Sequence, residues 1–280
     1  MKLTSWNIRG LNSPSKYRMI KNMIQKETPQ VFFIQETKCN SNTLGSILSK
    51  SWPGSHSIAV DASGASGGLA IAWDPQAISI TDAHAAHNLI QATFHIIGTN
   101  IRGHLTNVYF PQDSIQKIVL LNMMEMLNSN RTHPLWITGG DFNMITKSEE
   151  KRGGCSKLDL DCIHFKNYIQ KNWLIHLPFS NGMHTRNNKR SGSQKIASKL
   201  DRFLLSDNAL HVGGDIQASI LPLSGSDHWP ISLQWTRPGD ATKIPFRFEA
   251  FWLTHPDFKD MVTKAWQAFS PPAGSKMFQF

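Results

Sequence analysis

The chain has 280 residues, is 40% hydrophobic and carries a formal net charge of +9, which suits a globular protein with one large or two small domains. Three cysteines without metal-ligand spacing, and the lack of an N-terminal apolar segment or any apolar run of about 18 residues, argue against a disulfide framework, a signal peptide and a membrane span. We expect a protein of a reducing compartment, either the nucleus or the cytoplasm, with no membrane partner and no secretion.

Hydrophobic patterns in the first part of the chain alternate between helix and strand periods. A strand is predicted at 2–8, a helix at 14–27 and a fully apolar strand at 31–34. A second helix and four strand-like pieces follow, at 41–50, 56–60, 68–73, 90–97 and 102–109. Glycine-rich or polar breaks separate the four pieces, which indicates a meander.

The second part of the chain contains longer helical patterns between strands. The predicted elements are a helix at 115–128, a strand at 135–138, a helix at 159–170, strands at 199–206 and 231–235, and a helix at 256–269. Helices near both ends of a long run of strands favour two packed sheets with helices outside them. We therefore predict a four-layer α/β/β/α sandwich of two mixed sheets in residues 1–236, followed by a linker and a short helical tail in 237–280.

Polar residues end several of the apolar runs. The segment 139–143 reads Gly-Gly-Asp-Phe-Asn and places Asp141 and Asn143 on one face of a strand end. Burying unpaired polar groups there costs about 2–7 kcal/mol each, so the pair indicates a site. Other polar residues at the ends of predicted strands are Asn7, Glu36, Asp201, Asp227 and His228. Each alone is weak, because Asp and Asn commonly cap turns, but one rim of a sandwich could gather them all.

Such a set of side chains suits hydrolysis of a phosphate ester. Oxygen ligands select a hard cation such as Mg²⁺, and a metal beside a phosphoryl oxygen offsets the charge of the transition state. A carboxylate can orient or deprotonate water, and a histidine can stabilise or protonate the departing oxygen. Metal-assisted phosphodiester cleavage is the reaction class that these residues predict.

The polar motifs occur in the order of a known family. The motifs are Ser-Trp-Asn-Ile-Arg-Gly at 5–10, Gln-Glu-Thr at 35–37, Val-Tyr at 108–109, Gly-Asp-Phe-Asn at 140–143, Leu-Asp-Arg-Phe at 200–203 and Ser-Asp-His at 226–228. The chain thereby resembles the endonuclease/exonuclease/phosphatase superfamily, which includes pancreatic deoxyribonuclease and the apurinic/apyrimidinic endonucleases. The flanking segments 150–154 and 245–249 look like those of plant-type non-LTR (LINE-type) retrotransposons.

The resemblance implies a divalent metal site. Glu36, with help from Asn7, would hold Mg²⁺, or Mn²⁺ in its place, at the scissile phosphate. Asp227 would be a second metal ligand or would order the site. Whether one metal or two take part stays open at this stage.

The same resemblance assigns roles in catalysis. Asp141 would orient and activate the attacking water, and Asn143 would position that water or the phosphate. His228 would contact the phosphate oxygen while Asp201 fixes its ring, the carboxylate–histidine pairing that sets tautomer and basicity. Tyr109 would donate a hydrogen bond to the same phosphate.

Family members of the retrotransposon type nick target DNA, and the exposed 3′-hydroxyl primes a downstream reverse transcriptase. We therefore expect DNA as the partner, and a reverse transcriptase domain in the parent polyprotein. The chain ends before such a domain, so we expect a truncated element, the product of a broken reading frame or a deliberately shortened piece.

Basic residues are concentrated near the second half of the motifs. Residues 147–202 hold 12 of the 29 basic side chains against five acids, a concentration that suits a polyanionic partner. From charge alone, a solvated face that only aids solubility is an equally good interpretation. The residues predicted to contact DNA are Arg186, Asn187, Lys189, Arg190 and Lys195. Relatives usually carry Trp at the position of Arg186, so the target preference stays open, because arginine contacts phosphate or stacks on bases more weakly.

Two other functions remain open from the sequence. A phosphomonoesterase or lipid-headgroup phosphodiesterase could use the same fold, because a fold alone does not set the substrate. A catalytically decayed nucleic-acid-binding remnant is the other alternative, prompted by the missing polymerase, by Arg186 and by the bulky Trp229 beside His228.

Overall fold

The computed structural model describes residues 1–64, 66–129, 132–154, 160–222, 225–236 and 258–268. The chain divides into two compact units, Met1–Asp240 and Ala241–Phe280. The predicted linker and the 245–249 motif lie outside the described residues, as does the chain after 268. None of the described helices is long and apolar enough to cross a bilayer.

Strands and helices alternate along the first unit. The strands in chain order are β1 (Lys2–Asn7), β2 (Val31–Gln35), β3 (His56–Ser63), β4 (Ser66–Trp73), β5 (Ile78–Ala86), β6 (Leu89–Ile96), β7 (Arg102–Tyr109), β8 (Trp136–Asp141), β9 (Lys151–Arg152), β10 (Leu174–His176), β11 (Arg186–Asn187), β12 (Ala197–Ser198), β13 (Asp201–Ser206), β14 (Asp215–Ile220) and β15 (Ile231–Thr236). The helices are α1 (Pro14–Glu27), α2 (Ser41–Ser51), α3 (Ser114–Ser129), α4 (Leu160–Lys171) and, in the second unit, α5 (Phe258–Ala268).

Two six-stranded sheets form the centre of the first unit. Their strand orders are β14-β15-β1-β2-β4-β3 and β10-β13-β8-β7-β6-β5. Both sheets are mixed, because β1 pairs with β2 and β7 pairs with β8 in parallel while the other pairs are antiparallel. A small sheet, β11-β12-β9, lies beside them.

Side-chain alternation along the buried strands explains the layers. In β2, Phe33 packs into the apolar core between the two sheets, whereas Phe32 and Ile34 face the helices. Helices α1 and α2 cover that outer face with residues such as Ile20 and Leu44. Helices α3 and α4 cover the other sheet in the same way. The predicted four-layer α/β/β/α sandwich is therefore confirmed.

Several predicted elements match the structure closely. Three strands that were not predicted, β5, β10 and β14, lie at edges of the large sheets, and three more, the short β9, β11 and β12, form the small sheet. Strand β5 is the outer strand of its sheet, and most of its residues are exposed, so it lacks the apolar alternation that marks a half-buried strand. Strand β14 is the outer strand of the other sheet and is only partly buried. Helix α4 begins at Leu160, and the predicted first residue, Asp159, lies outside the described residues.

A buried ion pair ties β13 to the segment that precedes the small sheet. Arg202 is fully buried and donates from Nη1 and Nη2 to the two carboxylate oxygens of Glu150, at 3.2 Å each. Its Nη2 also donates to the carbonyl oxygens of Met144 and Lys199. Charge-assisted bidentate pairing of this kind is what makes a buried guanidinium tolerable.

Gly140, next to Asp141, provides a test of the packing between β7 and β8. Its φ is +142°, and a Cβ at this position would lie 2.0 Å from the carbonyl oxygen of Val108. We predict that Gly140→Ala lowers the free energy of unfolding by about 3 kcal/mol or more, through clash and backbone strain together. Gly45→Ala, in helix α2 with nothing within 4 Å, should instead raise it by about 0.5–1 kcal/mol. Urea unfolding of both variants measures these changes, and equal stability of the two would contradict the prediction.

Candidate active site

The candidate site lies where strand ends from both sheets meet. Asn7 ends β1, and Glu36 follows directly after β2, which runs parallel to β1. Asp141 ends β8, where it pairs in register with Tyr109 of β7 and with Asp201 of β13. The strand registers thus bring together side chains that are far apart in the sequence.

The backbone around this rim is unusually strained. Four non-glycine residues there have positive φ: Arg9 at 54°, Glu36 at 55°, Lys38 at 54° and Asn143 at 47°. Such left-handed conformations each cost of order 1–3 kcal/mol and cluster at functional sites in proteins. The rim is therefore held in a conformation that the surrounding structure imposes.

Asp141 is a buried carboxylate with two donors of its own. Asn7 Nδ2 donates to its Oδ2 at 2.9 Å, and the backbone N–H of Asn143 donates to its Oδ1 at 3.0 Å. Burial raises the pKa of Asp141 to about 6, against the nearby charge of His228, which lowers it. A carboxyl with this pKa can hold or release a proton near neutral pH.

His228 and Asp201 form a buried imidazole–carboxylate pair. His228 Nδ1 lies 2.9 Å from Asp201 Oδ2 and 3.8 Å from Asp141 Oδ2. Burial opposes the charged ring, but the carboxylates of Asp201 and Asp141 outweigh it and raise the pKa of His228 to about 9. A cationic ring donates from Nδ1 to Asp201, which fixes its orientation and leaves Nε2 for a ligand.

Thr185, which directly precedes β11, supports this pair. Its hydroxyl donates to Asp201 Oδ2 at 2.7 Å and accepts from the backbone N–H groups of Leu200 and Asp201. The sequence marks Thr185 only as the residue before Arg186. Its role depends on the approach of two segments, and no local pattern indicates it.

The loop that carries His228 is tied to β1 through side chains. Ser226 Oγ donates to the carbonyl oxygen of Asn7 at 2.8 Å and accepts from the backbone N–H of His228 at 3.1 Å. Trp6 Nε1 donates to the carbonyl oxygen of His228 at 3.1 Å. These three bonds hold the imidazole beside the Asn7–Asp141 pair.

Glu36 and Asp227 face a group of cationic side chains. Lys38 Nζ lies 3.1 Å from Glu36 Oε1, and Arg9 Nε lies 3.7 Å from Glu36 Oε2. Arg9 also donates from Nη1 to Asp227 Oδ2 at 2.6 Å. Arg9 and Lys38 were missed by sequence reasoning, although Arg9 stands in the quoted 5–10 motif.

The residues predicted to hold a divalent cation have suitable donors. Glu36 offers carboxylate oxygens, Asn7 an amide oxygen and Asp227 a buried Oδ1 without a hydrogen-bond partner among the described residues. Oxygen donors suit Mg²⁺ or Mn²⁺, so this set fits such an ion, which would compete with Lys38 and Arg9 for the carboxylates. A second group, Asp141, Asp201 and His228, also offers ligand atoms within 4.8 Å of one another.

Tyr109 and Asn143 flank the buried carboxylates. Burial, and then the charges of Glu36 and Asp141, raise the pKa of Tyr109 well above its usual value, so its hydroxyl stays protonated at neutral pH and can donate a hydrogen bond. Asn143 Nδ2 donates to the carbonyl oxygen of Phe110 at 2.7 Å, which fixes its amide.

The predicted DNA-binding residues divide into two groups. Lys189, Arg190 and Lys195 are exposed on the connection between β11 and β12. Arg186 and Asn187 lie in β11, where Arg186 Nε donates to Asp227 Oδ2 at 3.2 Å and Asn187 Oδ1 accepts from the backbone N–H of Lys189 at 2.9 Å. Arg186 thus forms a hydrogen bond with a residue of the candidate site, Asp227.

The base of this connection is joined to the segment that carries His228. Arg186 and His228 form a backbone bridge, and the N–H of Trp229 donates to the carbonyl oxygen of Thr185 at 2.7 Å. Trp229 therefore leaves the His228–Asp201 contact intact.

Comparisons with known proteins identify the family to which this chain belongs. The family model described as "Endonuclease/Exonuclease/phosphatase family" matches residues 4–228, and the chain therefore belongs to that family of nucleases and phosphatases. A search of curated proteins gave no match.

Solved structures with the same fold include three DNA-related proteins. A variant of the 3′ phosphatase NExo from Neisseria, bound to product DNA hairpin, is 17% identical with a TM-score of 0.67, over 84% of this chain and 99% of that one. An AP endonuclease from Archaeoglobus fulgidus is 18% identical with a TM-score of 0.65, over 84% and 99%. The endonuclease domain of TRAS1, a telomere-specific non-LTR retrotransposon, is 15% identical with a TM-score of 0.63, over 83% and 96%.

The support of Asp201 by Thr185 can be tested by substitution. We predict that Thr185→Val lowers the free energy of unfolding by about 1–3 kcal/mol, because it leaves two buried N–H groups without this acceptor and removes one of the two donors to Asp201 Oδ2. Thr185→Ser keeps the hydroxyl and should recover most of that loss. Urea unfolding measures both variants, and a Val variant as stable as the Ser variant would show that the hydroxyl contributes nothing.

Proposed function

We propose that this chain is a divalent-metal-dependent endonuclease that hydrolyses DNA phosphodiester bonds. The observation that supports this most directly is the buried group of Asp141, Asp201 and His228, which Asn7 contacts on one side and which the Arg186–His228 backbone bridge links to an exposed basic connection. In this proposal the chain nicks target DNA and leaves a 3′-hydroxyl that primes reverse transcription.

The positions of the side chains suggest a catalytic role for each of them. Asp141, held by Asn7 and by the N–H of Asn143, is the group placed to orient water and accept its proton. His228, cationic and fixed by Asp201, is placed to donate from Nε2 to a phosphate oxygen. Tyr109 provides a second hydrogen-bond donor at the same rim, and this one is neutral.

Glu36, Asn7 and Asp227 are the residues that would hold the divalent cation. Such a cation supplies charge neutralisation at the phosphate when it is bound. The residues of the chain perform the remaining tasks: Arg9 and Lys38 offset the charge of these carboxylates, and Asn143 positions water or phosphate.

The basic connection between β11 and β12 is the proposed DNA surface. Lys189, Arg190 and Lys195 are exposed there, whereas Arg186 and Asn187 join the connection to the catalytic rim. Contacts of exposed basic side chains with phosphates supply affinity without sequence preference. This surface would place a DNA backbone beside His228.

Nicking of supercoiled plasmid tests the proposal. With Mg²⁺ we expect conversion to the open circular form, and with EDTA we expect none. Asp141→Asn and His228→Ala should each lower the rate by at least about 100-fold, since each removes a positioned proton-transfer group. Asp207→Asn, at an exposed position outside the site, should stay within about twofold of the parent.

The outcome of that assay separates the alternatives. Activity on phosphomonoesters or lipid headgroups, with no plasmid nicking, would favour the phosphatase function. DNA binding without metal-dependent turnover would favour a decayed remnant. Two site variants that nick as fast as the parent would show that the assigned roles are wrong.

The salt dependence of DNA binding tests the basic connection. Replacing Lys189, Arg190 and Lys195 together with alanine should lower the slope of log K against log salt concentration by about 2–3, since each lost phosphate contact removes about 0.9. Arg186 is left in place because its loss would also release Asp227. The matched control replaces Lys21, Lys26 and Lys50, which are exposed on α1 and α2. An equal change in the control would mean that only net charge matters.

A further inference from the structure

A cavity of about 220 Å³ lies beside the catalytic rim and has an excess of positive charge. The side chains that matter in its lining are Lys147, Glu150, His176, Phe179 and Lys199. Lys199 stands two residues before Asp201, and its backbone N–H donates to the carbonyl oxygen of Glu150. None of the roles proposed above uses this cavity.

Lys199 is the unusual residue of the cavity. It is only 6% exposed, and within the described ranges its ammonium has no hydrogen-bond acceptor. Its Nζ lies 4.8 Å from the centroid of the Phe179 ring, a cation–π contact that satisfies the charge only in part and leaves its N–H donors unpaired. The nitrogen opens onto the cavity, and a charge that is largely removed from water is stabilised by an anionic partner placed there.

The carboxylate in the cavity is already engaged. Glu150 accepts both hydrogen bonds of Arg202, and its Oε2 also accepts the backbone N–H of Thr146 at 2.6 Å. Lys147, exposed at the mouth, and Lys199 therefore add positive charge that Glu150 does not cancel. In agreement, burial and then the charges of Arg202 and Lys147 lower the pKa of Lys199 to about 8.

His176 adds a further donor without a partner. Its Nε2 is buried and makes no hydrogen bond within the described part of the chain. Burial, followed by the charges of Arg202 and Lys199, lowers the pKa of its ring to about 3, so the ring is neutral at physiological pH. A neutral imidazole carries its proton on one of the two nitrogens, and the tautomer with the proton on Nε2 would donate to an anion without adding charge.

We propose that this cavity binds a phosphate group, with Lys199 and Lys147 as its charged donors and His176 Nε2 as a neutral donor. A tetrahedral oxyanion accepts several hydrogen bonds at once and would satisfy the ammonium that the chain leaves unpaired. The cavity has room for such an anion together with waters. The phosphate comes either from a DNA backbone, in which case the site rests on the proposed nuclease function, or from free phosphate, in which case it does not.

Thermal unfolding against inorganic phosphate tests binding of the free anion. The measurement is made in EDTA, with chloride replacing phosphate at constant ionic strength. The parent should gain about 3 °C at phosphate ten times above its Kd, and Lys199→Met should lose that gain. Lys166→Met, at an exposed position on α4, should keep it. His228→Ala should keep it too, which separates this cavity from the catalytic rim.

The salt dependence of DNA binding tests whether the phosphate in the cavity belongs to a DNA backbone. If a backbone phosphate occupies the cavity, Lys199→Met lowers the slope of log K against log salt concentration by about one, and Lys166→Met does not. Loss of the phosphate response with an unchanged slope supports free phosphate, and a lowered slope supports the DNA backbone. Unchanged behaviour in both measurements overturns the proposal.

Two further results keep the test independent of folding and of the nuclease function. If Lys199→Met does not fold, Lys147→Ala at the exposed mouth of the cavity takes its place as the test of phosphate binding. This variant should weaken phosphate binding by about 2–5-fold, as expected for the loss of one solvated charge. An unchanged Kd in that variant overturns the proposal. If the parent protein does not nick plasmid, the nuclease function is refuted. The phosphate response in EDTA is independent of that result and tests only whether the cavity binds phosphate.

Discussion

The antiparallel pairing of β13 with β8 is the interaction on which the site depends. This pairing sets Asp201 opposite Asp141, and both carboxylates are almost fully buried at the same strand ends. Two carboxylates so close together repel each other. The ring of His228, between them at 2.9 Å from Asp201 and 3.8 Å from Asp141, makes the arrangement stable because it carries the opposite charge.

The two faces of β13 perform different tasks because side chains alternate along a strand. Asp201 lies on the catalytic rim, and its neighbour Arg202 pairs with Glu150 in a separate buried contact. The pair fixes the segment around Glu150, which in turn accepts the N–H of Lys199. The strand thus connects the catalytic rim to the cavity proposed for phosphate, and a change in either buried charge would disturb both.

The carboxylates proposed for metal binding are surrounded by cations of the chain itself. Arg9 bridges Glu36 and Asp227, and Arg186 also contacts Asp227. These contacts hold the acidic side chains in place before any ligand arrives. They also mean that Arg186, where relatives usually have Trp, contributes to the order of the site as well as to its basic surface. Under the proposed function, substitution at this position would alter catalysis and DNA contact together.

The sequence by itself determined the buried elements and the chemistry of the site. Strands such as β2 are apolar on both faces, and helices such as α1 carry a clear apolar stripe, so their local patterns were sufficient to predict them. Asp141 and His228 were recognisable because they occur, together with the other polar motifs, in the order of a known family, whereas each residue alone could simply cap a turn. The exposed edge strands β5 and β14 lacked such a pattern, because solvent on one side removes the need for apolar residues.

Tertiary structure alone decided which side chains meet. Asn7 and Asp141 are separated by 134 residues, and Ser226 bonds to Asn7 across 219, distances over which no local pattern carries information. Strand register and the packing of loops also determine three other features. They are the hydrogen bond from Thr185 to Asp201, the hydrogen bond from Arg186 to Asp227 and the burial of Lys199. Register follows from the hydrogen bonding and packing of whole strands, so these contacts exist only once the sheets have formed.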